Sequence, residues 1–185
     1  MRVISGKYKG LHIKAVPGQS TRPTTDKVKE AIFNMAGPYF EGGTVLDLYG
    51  GSGGLAIEAL SRGMDEAVIV DRDKKAVETI YSNLKACGIP SGEASVFRNE
   101  ASRALKALVK REIQFDLIFL DPPYLKHKLP EELEFIGKNN LSSKNGTIVV
   151  EHSVQVALED SYETLSLTRE ERYGDTVISI YRNEV

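Results

Sequence analysis

The sequence predicts an α/β fold, a mostly parallel sheet flanked by helices. Three observations carry that expectation. Short apolar, β-like runs alternate with segments of helical periodicity from Thr44 to Glu151. A glycine cluster, Gly50-Gly51-Ser52-Gly53-Gly54, follows the first of those runs, as a tight strand-to-helix turn needs. The apolar run Phe115–Leu120 ends abruptly in Asp121-Pro122-Pro123-Tyr124. Two prolines cannot extend a central strand, because neither has an N–H to donate to the ladder. Regular alternation of this kind implies parallel strands with helices on both faces.

The elements follow in order. Arg2–Ser5 and Leu11–Ala15 are short β-like pieces, and Gly6-Lys7-Tyr8-Lys9-Gly10 between them reads as a turn, so a small hairpin is expected. Pro17-Gly18 and Arg22-Pro23 mark a loop. Thr25-Asp26 opens a helix, with Val28, Ile32 and Met35 at helical spacing and Gly37-Pro38 as its stop. Strands are then expected at Thr44–Tyr49, Ala67–Val70, Ser95–Arg98, Phe115–Leu120 and Thr147–Glu151. Helices are expected at Leu55–Arg62, Lys74–Ala86, Ala101–Lys110 and Pro130–Lys138. Two more strands, Thr164–Leu167 and Thr176–Arg182, lack a crossover helix and suggest an antiparallel hairpin at one edge. That makes seven strands.

A chain of 185 residues makes one domain the default. The single Cys87 excludes an intrachain disulfide and a cysteine-rich zinc site, and points to a reducing compartment. The N-terminus has no apolar signal core, and no apolar run approaches the roughly 18 residues of a membrane span. A cytoplasmic protein without membrane contact is the expectation. Net charge is −2, but residues 1–30 hold seven basic groups (Arg2, Lys7, Lys9, Lys14, Arg22, Lys27, Lys29) against Asp26 and Glu30. A basic N-terminal segment on an acidic body is either a phosphate-contacting footprint or a solvated arm.

The chemistry gathers where strands end, since ligands of open α/β sheets bind outside the carboxyl ends. The first strand runs into Asp47-Leu48-Tyr49 and the glycines. The second ends at Asp71, a natural position for a carboxylate that grips ribose hydroxyls. Gly51, Gly53 and Ala56 also satisfy the dinucleotide fingerprint, with Asp71 at the right remove, so this segment alone fits an NAD-binding protein. Two features argue against that. Asp47 would repel a pyrophosphate but suits a cationic sulfonium with its amino-acid tail, and the chain has no room for a separate substrate domain. Asp121-Pro122 followed by the Tyr124 ring would suit a flat, amino-bearing base. His12, His127 and His152 are scattered, and no metal site is read.

Asp47-x-Tyr49-x-Gly51-x-Gly53, Asp71 and Asp121-Pro122-Pro123-Tyr124, in that order, resemble class I S-adenosylmethionine-dependent methyltransferases acting on exocyclic amines. Arg2–Gly6, Arg22-Pro23-Thr24-x-Asp26-Lys27-Val28-Lys29-Glu30 with Phe33-Asn34, and Leu60–Gly63 resemble the ribosomal RNA small-subunit methyltransferase D family over essentially the whole chain. Tyr49-Gly50 stands where that family often has Phe-Ala, and Asp71 where Glu is frequent. The resemblance implies a Rossmann-like class I domain over residues 24–185, behind a basic hairpin extension over residues 1–23. It implies methyl transfer from S-adenosylmethionine, with no metal, to N2 of guanine-966 in 16S rRNA. The partner would be that RNA or the small ribosomal subunit, including an assembly intermediate, and the enzyme a monomer.

Carried onto this chain, the resemblance makes Asp121, Pro122 and Tyr124 catalytic. It gives cofactor binding to Asp47, Tyr49, Gly51, Gly53 and Asp71, with Asn99 or Glu100 beside the adenine. It places Arg22, Thr24 and Asp26 by the target pocket, where helix capping is the competing reading for Thr24 and Asp26. Lys7 and Lys9 would follow the RNA backbone. The alternatives are an adenine-N6 or protein-amide methyltransferase using the same chemistry, or, from another class, an NAD-binding oxidoreductase or a non-catalytic nucleotide-binding module.

Overall fold

In chain order, the N-terminal elements are α1 (Asp26–Ala36), β1 (Thr44–Asp47), α2 (Gly54–Ser61), β2 (Glu66–Asp71) and α3 (Lys74–Ala86). Next come β3 (Ala94–Arg98), α4 (Ala101–Lys110), β4 (Phe115–Leu120) and α5 (Leu129–Lys138). The chain closes with β5 (Ser142–Ser153), β6 (Ser161–Tyr162), β7 (Leu165–Tyr173) and β8 (Thr176–Asn183). The structure is a computed structural model that describes residues 1–18, 25–123 and 128–185.

The strands form one eight-stranded sheet in the order β3-β2-β1-β4-β5-β8-β7-β6. The first five in that order are mutually parallel. β8 lies antiparallel between β5 and β7, so the terminal hairpin is the antiparallel edge that the missing crossover helix implied. Seven strands were expected. The eighth, β6, is two residues long and pairs, among the described residues, only with the start of β7, too short to leave a periodic signal.

Alternation along the central strands divides the core. Val45, Phe119 and Val149 point to the face covered by α1, α2 and α3. Leu46, Ile118, Leu120 and Val150 point to the face covered by α4 and α5. Burial on both faces explains why these strands read as continuous apolar runs rather than alternating ones.

All eight residues of α2 are buried. A helix apolar on every side must be covered on every side, and here the N-terminal hairpin supplies the outer cover. Val3 and Ile13, at 1% and 0% exposure, belong to the same apolar cluster as α2. The hairpin closes through Val3 N–H to the Leu11 carbonyl, Gly10 N–H to the Val3 carbonyl, and an Arg2–His12 bridge. Lys7 N–H donates to the Ser61 carbonyl at 2.8 Å and Ser61 Oγ donates to the Ser5 carbonyl at 2.7 Å. Gly6 has φ +92°, and a Cβ there would lie 2.0 Å from the Ser61 carbonyl oxygen. Only glycine permits that approach.

A buried ionic cluster fastens the same seam. Glu58 Oε1 meets Lys29 Nζ at 3.2 Å, and Glu58 Oε2 meets Arg62 Nε at 2.8 Å. Glu58 also accepts from the Ile4 and Ser5 N–H groups, and Lys29 donates to the Arg2 carbonyl. Burial lowers the Lys29 pKa, against the opposing pull of Glu58. Lys29 was counted in the basic N-terminal segment. It is fully buried and paired, so it does not belong to a phosphate-facing surface.

Candidate active site

The strand order sets three aspartates side by side. β2, β1 and β4 are neighbours, and their carboxyl ends carry Asp71, Asp47 and Asp121. Between them rises the glycine loop. Gly50 N–H donates to the Val70 carbonyl at 2.7 Å, and Leu48 N–H to the Phe119 carbonyl at 3.2 Å, so the loop is tied to both flanking strands. Gly53, at φ +85°, is the N-cap of α2, a conformation that L-residues with a Cβ adopt only under strain. Its turn aims the first N–H groups of α2 at the loop.

Asp71 braces that loop. Its Oδ2 accepts from Gly51 N–H at 2.9 Å and its Oδ1 from Asp73 N–H at 2.9 Å. A carboxylate has about four acceptor sites, so this half-buried group keeps capacity for ribose hydroxyls. Asn99 N–H donates to the Asp71 carbonyl, and Asn99 Oδ1 accepts from Glu100 N–H, which puts both adenine-side candidates next to Asp71. Glu100 is the N-cap of α4, without a side-chain capping bond.

Asp47 is 1% exposed, and no donor among the described residues completes a hydrogen bond to either carboxylate oxygen. Burial, then the neighbouring Asp71 charge, pushes its pKa up to about 7. The N–H groups of Tyr49 and Ala56 offset part of that rise. An orphaned buried carboxylate under a glycine loop fits a cationic ligand group and disfavours a pyrophosphate.

Tyr49 turns to the other face. Its Oη donates to Glu132 Oε2 at 2.5 Å, joining the glycine loop to α5. Burial raises the Glu132 pKa to about 7, against the Tyr49 hydrogen bond, and the Tyr49 phenol is raised far above its ordinary range. Sequence reasoning missed Glu132, because an acid in the first turn of a helix reads as a solvated partner of the dipole. It also missed Asn83. That side chain donates to the Ser52 carbonyl in the glycine loop and exchanges hydrogen bonds with both Lys14 backbone groups.

Asp121 and Pro122 are half-buried at the end of β4. Asp26 is exposed and accepts from Arg2 N–H at 3.3 Å, while Thr25 caps α1 by accepting from Val28 N–H. Lys7 and Lys9 are exposed on the hairpin turn. Arg22, Thr24 and Tyr124 lie outside the described residues, as does His127. Among the described residues, no helix is long and apolar enough to cross a membrane.

A family described as Conserved hypothetical protein 95 matches residues 1–182. The chain is 54% identical over 182 residues to a Bacillus subtilis protein named "Putative rRNA methyltransferase YlbH", spanning 98% of each. It is 30% identical over 183 residues to Ribosomal RNA small subunit methyltransferase D of Haemophilus influenzae, covering 99% of this chain and 94% of that protein. A solved Streptococcus pyogenes structure, described as a conserved hypothetical protein, is 43% identical with a TM-score of 0.79, over 85% of this chain and 96% of that one. With its glycine loop, its aspartate row and this likeness along its full length, the chain belongs to the Conserved hypothetical protein 95 family, that of the ribosomal RNA small-subunit methyltransferase D proteins.

Proposed function

We propose that the protein transfers a methyl group from S-adenosylmethionine to the exocyclic N2 of guanine-966 in 16S rRNA, within the small ribosomal subunit or an intermediate of its assembly. The observation that supports this reading is the adjacency of β2, β1 and β4, which brings together the strand ends that carry Asp71, Asp47 and Asp121. S-adenosylmethionine, when bound, supplies an electrophilic methyl group on a sulfonium. Asp71 would hold the ribose hydroxyls, with Asn99 or Glu100 beside the adenine. Gly51 and Gly53 would let the backbone close on the ligand. Asp47 would balance the charge of the amino-acid tail, and Tyr49 would wall the cleft.

On the substrate side, Asp121 and the Pro122 carbonyl accept the two N2 hydrogens of guanine. The guanine amino lone pair is delocalised into the ring. Holding both hydrogens draws the nitrogen towards tetrahedral geometry and frees that lone pair for in-line attack. Pre-placed acceptors also stabilise the positive charge that develops on nitrogen. Tyr124 would stack on the base, a contact worth roughly 1–3 kcal/mol in comparable sites. The base must first leave its stack, at a cost of a few kcal/mol. Arg22, Thr24 and Asp26 would border the pocket. Lys7 and Lys9 would track phosphates, and the enzyme would act as a monomer.

The test is transfer of labelled methyl to small subunits from cells lacking this protein, with the modified nucleotide mapped. Label on N2 of guanine-966, lost in Asp121→Ala, is the expected result. Label on adenine, or none on RNA, overturns the proposal.

A further inference from the structure

β5 outruns β4. The parallel ladder between them ends at Leu120–Val150, where Asp121-Pro122-Pro123 stops β4, but β5 continues to Ser153 along β8. Glu151 is therefore the first β5 residue beyond the last paired position, beside Asp121 on the neighbouring strand. Adjacent strands lie roughly 4.8 Å apart. Alternation fixes the face. Phe119 pairs with Val149, and both belong to the apolar cluster under α1. Glu151 follows Val149 by two residues and sits opposite Ile178 of the same cluster. It is half-buried, as Asp121 is.

We infer that Glu151 selects guanine by accepting its N1–H, beside the N2 hydrogens held by Asp121 and the Pro122 carbonyl. This rests on the methyltransferase reading above. Guanine offers its N1 and N2 hydrogens as a continuous row of donors on the Watson–Crick edge. Adenine places an acceptor, N1, next to its amino group. An aspartate-proline elbow by itself accepts either amino group. A second carboxylate on the adjoining strand turns it into a guanine site, because it bonds one N1 and repels the other. Enzymes that extrude a base read that edge in this way. Sites built to bond a substrate N–H strongly reject the analogue without it.

The test uses small subunits reconstituted with 16S rRNA carrying guanine or 2-aminopurine at the target. The analogue keeps the 2-amino group, but its N1 is an acceptor. Wild-type enzyme is expected to methylate the analogue at least about tenfold more slowly. Glu151→Gln is expected to slow on guanine and to lose that preference, because its amide can donate to the analogue's N1. Glu151→Asp, which keeps the charge, is expected to retain the preference at a reduced rate. A merely structural role would slow both substrates alike and leave the ratio untouched. An unchanged ratio in Glu151→Gln, or a wild-type enzyme that treats both bases equally, overturns the inference. A wild-type enzyme without that preference overturns the inference even where a variant does not fold. Absence of methyl on guanine with wild-type enzyme overturns the proposed function itself.

Discussion

The Tyr49 hydroxyl donates to Glu132 across 83 residues of sequence, tying the glycine loop to the helix that follows the β4 elbow. Glu132 is 6% exposed and its other oxygen has no partner among the described residues, where the phenol is its principal compensation. Tyr49→Phe removes that donor and is expected to cost about 1–3 kcal/mol in urea unfolding. The double variant Tyr49→Phe, Glu132→Leu removes both polar groups and is expected to recover most of the loss. Equal instability of the single and double variants would show that the hydroxyl does not sustain Glu132.

The buried acids make stability depend on pH. Asp47 rises from 3.8, and Glu132 from 4.5, to about 7 in the folded protein. The unfolded chain gives up these protons first, so the native state binds more protons between those values. Stability is therefore full below about pH 4 as far as these two groups are concerned, and declines as pH rises towards 7. Asp47→Asn removes one share of that decline. Its melting temperature is expected to exceed the wild type's at pH 8, with the gap closing below pH 4. A gap independent of pH would contradict the assignment.

Ligand binding offers a separate readout of Asp47. A cationic group settling over its carboxylate favours the charged form, so binding of S-adenosylhomocysteine at pH 7 is expected to release protons. Calorimetry in buffers of different ionisation enthalpy measures that release. Asp47→Asn should bind more weakly and release none from this site.

Glu58 holds two cations and two backbone N–H groups in a dry seam. Glu58→Ala strands Lys29 as an uncompensated buried charge. Breaking such a pair costs about 3–5 kcal/mol. The loss should appear in chemical denaturation and as faster proteolysis before residue 15. Wild-type protection of the N-terminal segment would separate the hairpin from the cluster.

Lys7 and Lys9 are exposed on the hairpin turn and carry the simplest test of an RNA surface. Replacing both by Glu is expected to weaken RNA binding and to reduce the salt slope by about one unit for each lost phosphate contact. Affinity for S-adenosylhomocysteine should not change. An unaltered salt dependence would move the RNA path elsewhere.

Much of the fold was legible because its signals are local. Lys74–Ala86, Ala101–Lys110 and Phe115–Leu120 match their elements residue for residue, since periodicity, caps and prolines act within a few positions. Asp47, Asp71 and Asp121 were readable as strand ends, and the parallel order brought them together. The unreadable parts depend on distant partners. Glu132 and Asn83 look like ordinary polar helix residues until Tyr49, Ser52 and Lys14 arrive beside them. Lys29 looks solvated until Glu58 closes over it. The polar start of β5, from Ser142, is a strand only because Phe115 pairs with it across an irregular register.

The seat of the hairpin has a consequence for how the chain assembles. Residues 4–14 are translated ahead of their hydrogen-bonding partners Glu58, Ser61 and Asn83, which follow 53 to 69 positions later. The apolar sides of Val3 and Ile13 have no home until α2 and α3 exist. Closing such long loops is slow relative to forming local turns. The segment proposed to grip RNA is thus made before its partners and docked late, and folding of the central sheet sets the moment at which that surface is completed.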